Sequence, residues 1–319
     1  MKGKVVELKR IAGSAGLYRE NCPWEKILEC IRPRIEEVDI YLERAVSKAP
    51  ELIRNTLWRL ALDDKRLVPA LFLTVAGLNY TGNHKSRLAA SLQSLQLAIQ
   101  AHCSLEEPAL TPTPTEVILS GDFYFSLALT AAADIPIFIM GMAEIINRVA
   151  SSIVCKPHYQ TYSSGLRQRY LQHISDSHAS IIALAASLGA WYAKLSPRQN
   201  EALAYFGHYL GMGLEIREEF ALFEADLKQK AGTPRLTLPL AYILEQSPSG
   251  RELFKALDHT AIEFDYRLLE QEKERTDLEG FISRVAANCF SKASEFLDSL
   301  QANLEQETLA VLRQFIFLK

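Results

Sequence analysis

Hydrophobic residues recur along most of this chain at the three- and four-residue spacing of amphipathic helices. Leu203, Phe206, Leu210 and Leu214 form one such stripe. A second stripe with similar spacing comprises Leu88, Leu92, Leu95 and Ile99. Alternating runs of β-branched residues, which would indicate strands, are nearly absent. The pattern therefore predicts an all-α fold.

Proline, glycine and serine concentrate at several places and predict the breaks between helices. These breaks are expected at residues 49–50, 79–84, 107–115, 156–157, 196–197, 231–234 and 247–250. No fixed-period repeat or low-complexity linker divides the sequence. We therefore expect a single domain over residues 1–319, in which residues 1–23 form a poorly ordered N-terminal extension.

The most apolar stretch of the chain covers residues 117–143. It contains Asp122, Asp134 and Pro136, which are unfavourable inside a membrane-spanning helix. We therefore predict a pair of buried helices at the centre of the fold, and no transmembrane segment.

The amino-acid composition argues against several classes of function. Apolar residues make up 48% of the chain, enough for a sizeable core, and the net charge is −3. Basic residues are scattered among acidic ones, which argues against nucleic acid as a partner. The five cysteines include no CxxC pair, and the N-terminus has no continuous apolar signal core. These features predict a cytoplasmic protein with reduced thiols.

Four short segments occur in an order that resembles a known family. They read Asp-Asp-Lys-Arg-Leu-Val-Pro at 63–69, Leu-Ser-Gly-Asp-Phe-Tyr-Phe at 119–125, Gly-Met-Gly-Leu-Glu-Ile-Arg-Glu-Glu at 211–219 and Arg-Leu-Thr-Leu-Pro at 235–239. Together they resemble motifs of the trans-isoprenyl diphosphate synthases, the polyprenyl synthetase family. The resemblance runs from about residue 24 to the end of the chain. It implies an isoprenoid synthase-like helical bundle around a central cavity.

The family joins a homoallylic diphosphate to an allylic one. It uses magnesium held between two Asp-Asp-x-x-Asp motifs, whose first and last carboxylates share one helix face. Both motifs are altered in this sequence. The degenerate positions are Glu106, Glu107 and Leu110 in the first motif, and Glu218, Glu219 and Leu222 in the second. A leucine cannot bind magnesium, so we assign no catalytic or metal-binding residue and expect magnesium only if some activity is retained.

The cationic positions that the resemblance implies for diphosphate binding are only partly kept. Lys65, Arg66 and Arg235 remain as candidate substrate-binding residues. The family's next arginine falls on Val68, and its upstream histidine falls on Ile99 or Gln100. Its later Lys-Thr pair falls on Ser177 and His178, and the loop with an Arg-Arg pair is missing between residues 111 and 121.

Each candidate residue also has an ordinary structural interpretation. Lys65 and Arg66 either bind a phosphate or form a helix-start charge pair with Asp63 and Asp64. The glutamates of both motifs are either weak metal ligands or part of a helix face that is solvated or locally paired. The family keeps an aspartate at the position of Asp122, so we expect Asp122 to be buried and hydrogen-bonded.

Three functions remain open. The leading hypothesis is a non-catalytic subunit that assembles with a catalytic prenyl synthase, or as a homodimer. The second is a weakly active or altered prenyltransferase. The third is a pseudoenzyme that binds an isoprenoid or lipid, and the small Ala101 before the first motif is compatible with a deep apolar cavity.

Overall fold

The structure, a computed structural model, describes residues 23–77, 83–104, 112–154, 165–230, 233–258, 264, 266–301 and 304–318. Within these ranges all regular secondary structure is helical. The all-α prediction is confirmed. The assignment of residues 1–319 to one domain remains a prediction, and residues 1–22 lie outside the described ranges.

The helices are numbered here in chain order. The first half contains α1 (Pro23–Val46), α2 (Glu51–Asp63), α3 (Leu67–Val75), α4 (Asn83–Cys103), α5 (Pro114–Ala131), α6 (Pro136–Val154) and α7 (Leu166–Ile174). A π-helical turn (Ser175–Ala179) leads into α8 (Ser180–Tyr192). The rest contains α9 (Pro197–Gln229), α10 (Leu238–Gln246), α11 (Gly250–Asp258), α12 (Tyr266–Arg275), α13 (Leu278–Asp298) and α14 (Gln306–Ile316).

Helices α3 and α8 lie at the centre of the bundle. Every residue of α3 from Val68 to Val75 is buried, because this segment is apolar on all faces. The two helices pack closely at Gly189, where a Cβ atom would lie 2.8 Å from Val75 Cβ and 3.0 Å from the Phe72 carbonyl oxygen. Only glycine permits this approach of α8 to the α3 backbone.

The longest helix, α9, spans 33 residues and carries much of the candidate site. Ser196 and Gln199 form a capping box at its start, and Pro197 occupies the first turn. Its predicted stripe is confirmed, since Leu203, Phe206 and Leu210 are buried. Helix α8 packs on one side of α9 and α13 on another.

Several predicted breaks are confirmed, at 49–50 between α1 and α2, at 196 before α9, at 233–234 before α10 and at 247–249 before α11. Residues 231–232 lie outside the described ranges. Helix α4 begins at Asn83, inside the predicted break at 79–84, and α5 begins at Pro114, inside the predicted break at 107–115. Residues 78–82 and 105–111 lie outside the described ranges. Residues 156–157 lie outside the described ranges. Several short turns were not predicted, at 64–66, 132–135, 276–277 and 299–301, because none of them contains clustered proline or glycine.

The expectation that residues 117–143 lie at the centre is wrong in part. Helices α5 and α6 each bury one face and leave the other exposed: the Met140 side chain is 68% exposed and Val154 is 79% exposed. Asp122 is also exposed, so the prediction that it is buried is wrong. Hydrophobic periodicity does not separate a face that packs in the core from one left apolar at the surface.

Candidate functional site

The turn that leads into α3 is built around Arg66. Its backbone is left-handed (φ 58°), and its N–H donates to Asp64 Oδ1 at 2.7 Å. The Arg66 guanidinium turns inward, where Nε donates to Asp39 Oδ1 on α1 at 2.8 Å and Nη1 lies 3.6 Å from Asp64 Oδ1. The Gln100 amide, near the position where the family has histidine, donates to Asp64 Oδ2 at 3.0 Å. The helix-start interpretation of Arg66 is therefore supported, with Asp39 as an additional partner.

Lys65 contacts α9, whereas Arg66 contacts α1. Its Nζ donates to Glu218 Oε2 on α9 at 2.9 Å, and both side chains are more than half exposed. The pair joins residues 153 positions apart in sequence. Lys65, the candidate cation for a phosphate, is thus paired with a glutamate of the degenerate second motif.

Glu219 points away from solvent, contrary to the expectation of a solvated helix face. It is 6% exposed, and its Oε2 accepts the Leu238 N–H at 2.8 Å. This is the first amide of α10, whose preceding residue Thr237 makes no side-chain capping bond. Glu219 therefore supplies from α9 the acceptor that a helix N-terminus needs. Burial and the neighbouring Glu215 carboxylate raise the pKa of Glu219 to about 7.

Glu215 and His178 form a second internal pair. His178 Nδ1 lies 3.1 Å from Glu215 Oε2, and neither side chain is more than about one third exposed. His178 belongs to the π-helical turn, a form of helix that often occurs at functional sites. Burial by itself raises the pKa of Glu215. The charge and hydrogen bond of His178, together with the charges of His173 and Lys65, outweigh burial, so that this pKa lies below its usual value.

Arg235, the third candidate for substrate binding, is also bound to α9. Its Nη2 and Nε donate to the two carboxylate oxygens of Asp226 at 2.8 and 3.1 Å, a bidentate geometry that suits guanidinium. Its backbone N–H donates to the same carboxylate at 3.2 Å. The pair fastens the segment before α10 to the end of α9.

The residues described at the second motif do not fit a magnesium site. Magnesium prefers near-octahedral oxygen coordination, yet Leu222 supplies no oxygen, Glu219 is used by α10 and Glu218 is paired with Lys65. In the described part of the chain, no group of three or more His, Cys, Asp or Glu residues is placed to hold a metal. Glu106 and Glu107 of the first motif lie outside the described residues.

Three site residues, Glu215, Asp39 and Asp226, escaped sequence reasoning, and the first two did so for different reasons. Glu215 lies one helical turn before Glu219, so the i, i+4 spacing could have placed both carboxylates on one face. Asp39 gives no such signal, because it comes from α1 and reaches Arg66 only through the tertiary fold.

Arg66 and Lys65 should differ in their effect on stability. Arg66→Met is expected to lower the free energy of unfolding by about 2 kcal/mol, because it leaves the largely buried Asp64 carboxylate without its cation. Lys65→Met removes an exposed ion pair and should change stability by less than about 0.5 kcal/mol. Urea unfolding of both variants measures the difference. Equal effects would mean that the inward pairing of Arg66 is wrong.

Comparison with known proteins identifies the class. No family model matches the sequence. The solved polyprenyl synthase from Caulobacter crescentus, complexed with calcium and isoprenyl diphosphate, superposes with a TM-score of 0.76. The two are 19% identical, and the match covers 95% of this chain and 99% of that one. The chain therefore has the all-α fold of the trans-isoprenyl diphosphate synthases.

Two bacterial proteins resemble this chain in sequence. Heptaprenyl diphosphate synthase component 2 of Bacillus subtilis is 26% identical over 154 residues, which cover 46% of this chain but only 44% of that protein. The protein of the same name from Geobacillus stearothermophilus is 27% identical over 233 residues, or 65% of this chain and 71% of that one. The resemblance seen in the four segments is confirmed. The chain is a divergent relative of the polyprenyl synthetase family without intact Asp-rich motifs.

Proposed function

We propose that this chain is a non-catalytic subunit of a heteromeric polyprenyl diphosphate synthase in isoprenoid biosynthesis. The observation that carries the proposal is the state of the second motif on α9, where Leu222 replaces a ligand and Glu219 is held by α10. Departure of diphosphate from an allylic carbon requires neutralisation of its developing charge, which magnesium supplies in the family. A chain that cannot hold the metal at this motif needs another chain to carry out the reaction.

The names of the relatives support a multi-subunit assembly. Both bacterial relatives are called component 2 of heptaprenyl diphosphate synthase, a name that implies at least one further component in those enzymes. For this chain we propose a catalytic prenyl synthase partner with intact Asp-rich motifs. A cytoplasmic location is consistent with Cys30, Cys103 and Cys289, which form no disulfide among the described residues.

The exposed stripe of α6 is the surface that we propose for this partner. Its members recur at spacings of three and four and are all exposed: Ile137, Met140, Glu144, Asn147, Ser151 and Val154. This is the spacing of a helix that packs against another helix. The apolar ends favour burial, and the polar centre restricts which helix can pack there.

The alternative to a protein partner at the exposed face of α6 is a lipid membrane. Among the described helices, α6 has the length and the apolar composition needed to cross a membrane. Of its most apolar 18-residue segment, 28% is buried in the fold. Core helices of soluble proteins pass the same test. Glu144, Asn147 and Arg148 on its exposed side make a helix partner the better match, since charged and amide groups are costly in lipid.

A condensation assay tests the proposed function. The purified chain, incubated with magnesium, labelled isopentenyl diphosphate and an allylic diphosphate, is expected to give at least about 1,000-fold less product than a synthase with intact motifs. The chain should raise the yield or change the product length of the intact synthase encoded in the same genome. Turnover by the isolated chain that is lost in Glu218→Ala and Glu219→Ala would establish a weak prenyltransferase instead.

A matched pair of variants locates the partner surface in the same assay. Met140→Asp places a charge in the α6 stripe and should abolish the effect on the intact synthase. Leu52→Asp changes a similarly exposed apolar residue on α2 and should leave the effect intact. Among the described residues, two cavities have volumes of about 690 and 1180 Å³, and Ala101 lines neither of them.

A further inference from the structure

The charged residues of the degenerate site are paired with one another rather than left open to a ligand. Four of the polar contacts that α9 makes with other segments lie in this site: Lys65 with Glu218, His178 with Glu215, Glu219 with the Leu238 N–H, and Arg235 with Asp226. The α9 residues span more than two helical turns. Their partners come from the turn before α3, the π-helical turn, and the segment entering α10.

We infer that this site has become an intramolecular clasp, which fixes the start of α10 and the neighbouring turns to α9 in place of a metal–diphosphate complex. The inference concerns the same site as the proposed function and adds a structural role for residues that would otherwise be remnants.

Glu219 is the central element of the clasp. A metal ligand must present its oxygens to a shared cavity, but Glu219 is buried and directs Oε2 to the α10 backbone. The unsatisfied amides at a helix start need an acceptor, and Thr237 supplies none from its side chain. Withdrawing Glu219 to bind a metal would therefore leave the start of α10 without this acceptor.

Arg235 reinforces the same connection. Two side-chain bonds and one backbone bond join it to Asp226, so a phosphate could recruit this guanidinium only by competing with a bidentate carboxylate. Residues 235–238 are thus held to α9 at two places, Asp226 and Glu219.

Lys65 and Glu218 form the exposed edge of the clasp. Surface ion pairs of this kind are weak and readily screened by salt. If any part of the clasp opens to an anion, it is this pair. A neutral substitution at Glu218 would then leave Lys65 without this carboxylate partner.

The clasp can be tested on the full chain with magnesium and inorganic diphosphate as probes. For the wild type, calorimetric titration with either probe or both should show no saturable binding, and the melting temperature should rise by less than about 1 °C. Glu218→Gln should gain saturable binding of diphosphate, which the wild type lacks, through the released Lys65. Glu144→Gln, which changes an equally exposed pair on α6, is the matched control and should gain none.

Hydrogen exchange provides a second measurement that does not depend on ligands. Glu219→Leu should raise the exchange rate of the Leu238, Leu240 and Ala241 amides at least about tenfold, with α13 unchanged. Saturable magnesium-dependent diphosphate binding by the wild type, or unchanged exchange at these amides in Glu219→Leu, would overturn the clasp. Failure to affect an intact synthase would overturn the proposed function but leave the clasp standing, so the two outcomes are distinguishable.

Discussion

Gly207→Ala is expected to lower the free energy of unfolding by about 2 kcal/mol, although alanine is the better helix former. A Cβ atom at this position would lie 2.7 Å from the Ile182 carbonyl oxygen and 3.0 Å from Ala183 Cα. Both contacts are with the backbone of α8, which cannot yield by a rotamer change. The added methyl group must therefore push α8 away from α9.

The same displacement should reach the candidate site. Gly207, Gly211 and Glu215 lie at i, i+4 and i+8 on α9, so they form one line along the helix. A Cβ atom at Gly211 would lie 2.8 Å from the Cα atom of Ala179, the residue that follows His178. Close packing of the π-helical turn on α9 is thus what brings His178 to Glu215.

Gly141→Ala makes the same chemical change at another helical glycine and serves as the control. Its close neighbour is Leu184 Cδ1 at 2.7 Å, the end of a flexible side chain. Gly141→Ala should therefore change stability by less than about 1 kcal/mol, since the helix propensity gained offsets the local adjustment. Urea unfolding of both variants decides the matter, and equal losses would show that backbone contact at Gly207 is not the cause.

The helices could be predicted from the sequence because their signals are local. The buried stripes of α4 and α9 follow from spacing, and the start of α9 follows from Ser196 and Pro197. The location of α5 and α6 could not be predicted, because an apolar residue such as Met140 has the same pattern whether it faces the core or a partner. Burial depends on which surfaces the tertiary fold leaves uncovered.

For the site, the sequence identified positions but not partners. Lys65, Arg66 and Arg235 were candidates for phosphate binding, and the structure instead places carboxylates beside each of them. Asp226 is nine residues before Arg235 and gives no local pattern that marks it as a partner. Charge type and motif order reveal which residues occupy a site, whereas their pairing depends on distances that only the fold sets.

Glu219→Gln is expected to stabilise the protein at pH 8 and to have little effect at pH 4.5. The pKa of Glu219 is raised from its ordinary value of 4.5 to about 7, first by burial and then by Glu215, while the Leu238 amide, Tyr170 and His178 oppose the shift. A raised carboxyl pKa means that the native state favours the protonated form. Its contribution to stability is complete below pH 4.5, is lost as the pH rises to about 7, and stays lost above that.

Glutamine does not titrate and keeps an oxygen for the Leu238 N–H, so the variant avoids the cost of a second buried anion next to Glu215. At 1.36 kcal/mol per pKa unit, the advantage of the variant should grow between pH 4.5 and 7 to a plateau of about 3 kcal/mol. Urea unfolding at half-unit pH steps measures this difference, with Glu144→Gln as a control at an exposed glutamate. A constant difference between wild type and Glu219→Gln across the range would mean that Glu219 ionises normally in the folded protein. Its carboxylate would then be charged at neutral pH and strengthen the start of α10 through the helix dipole.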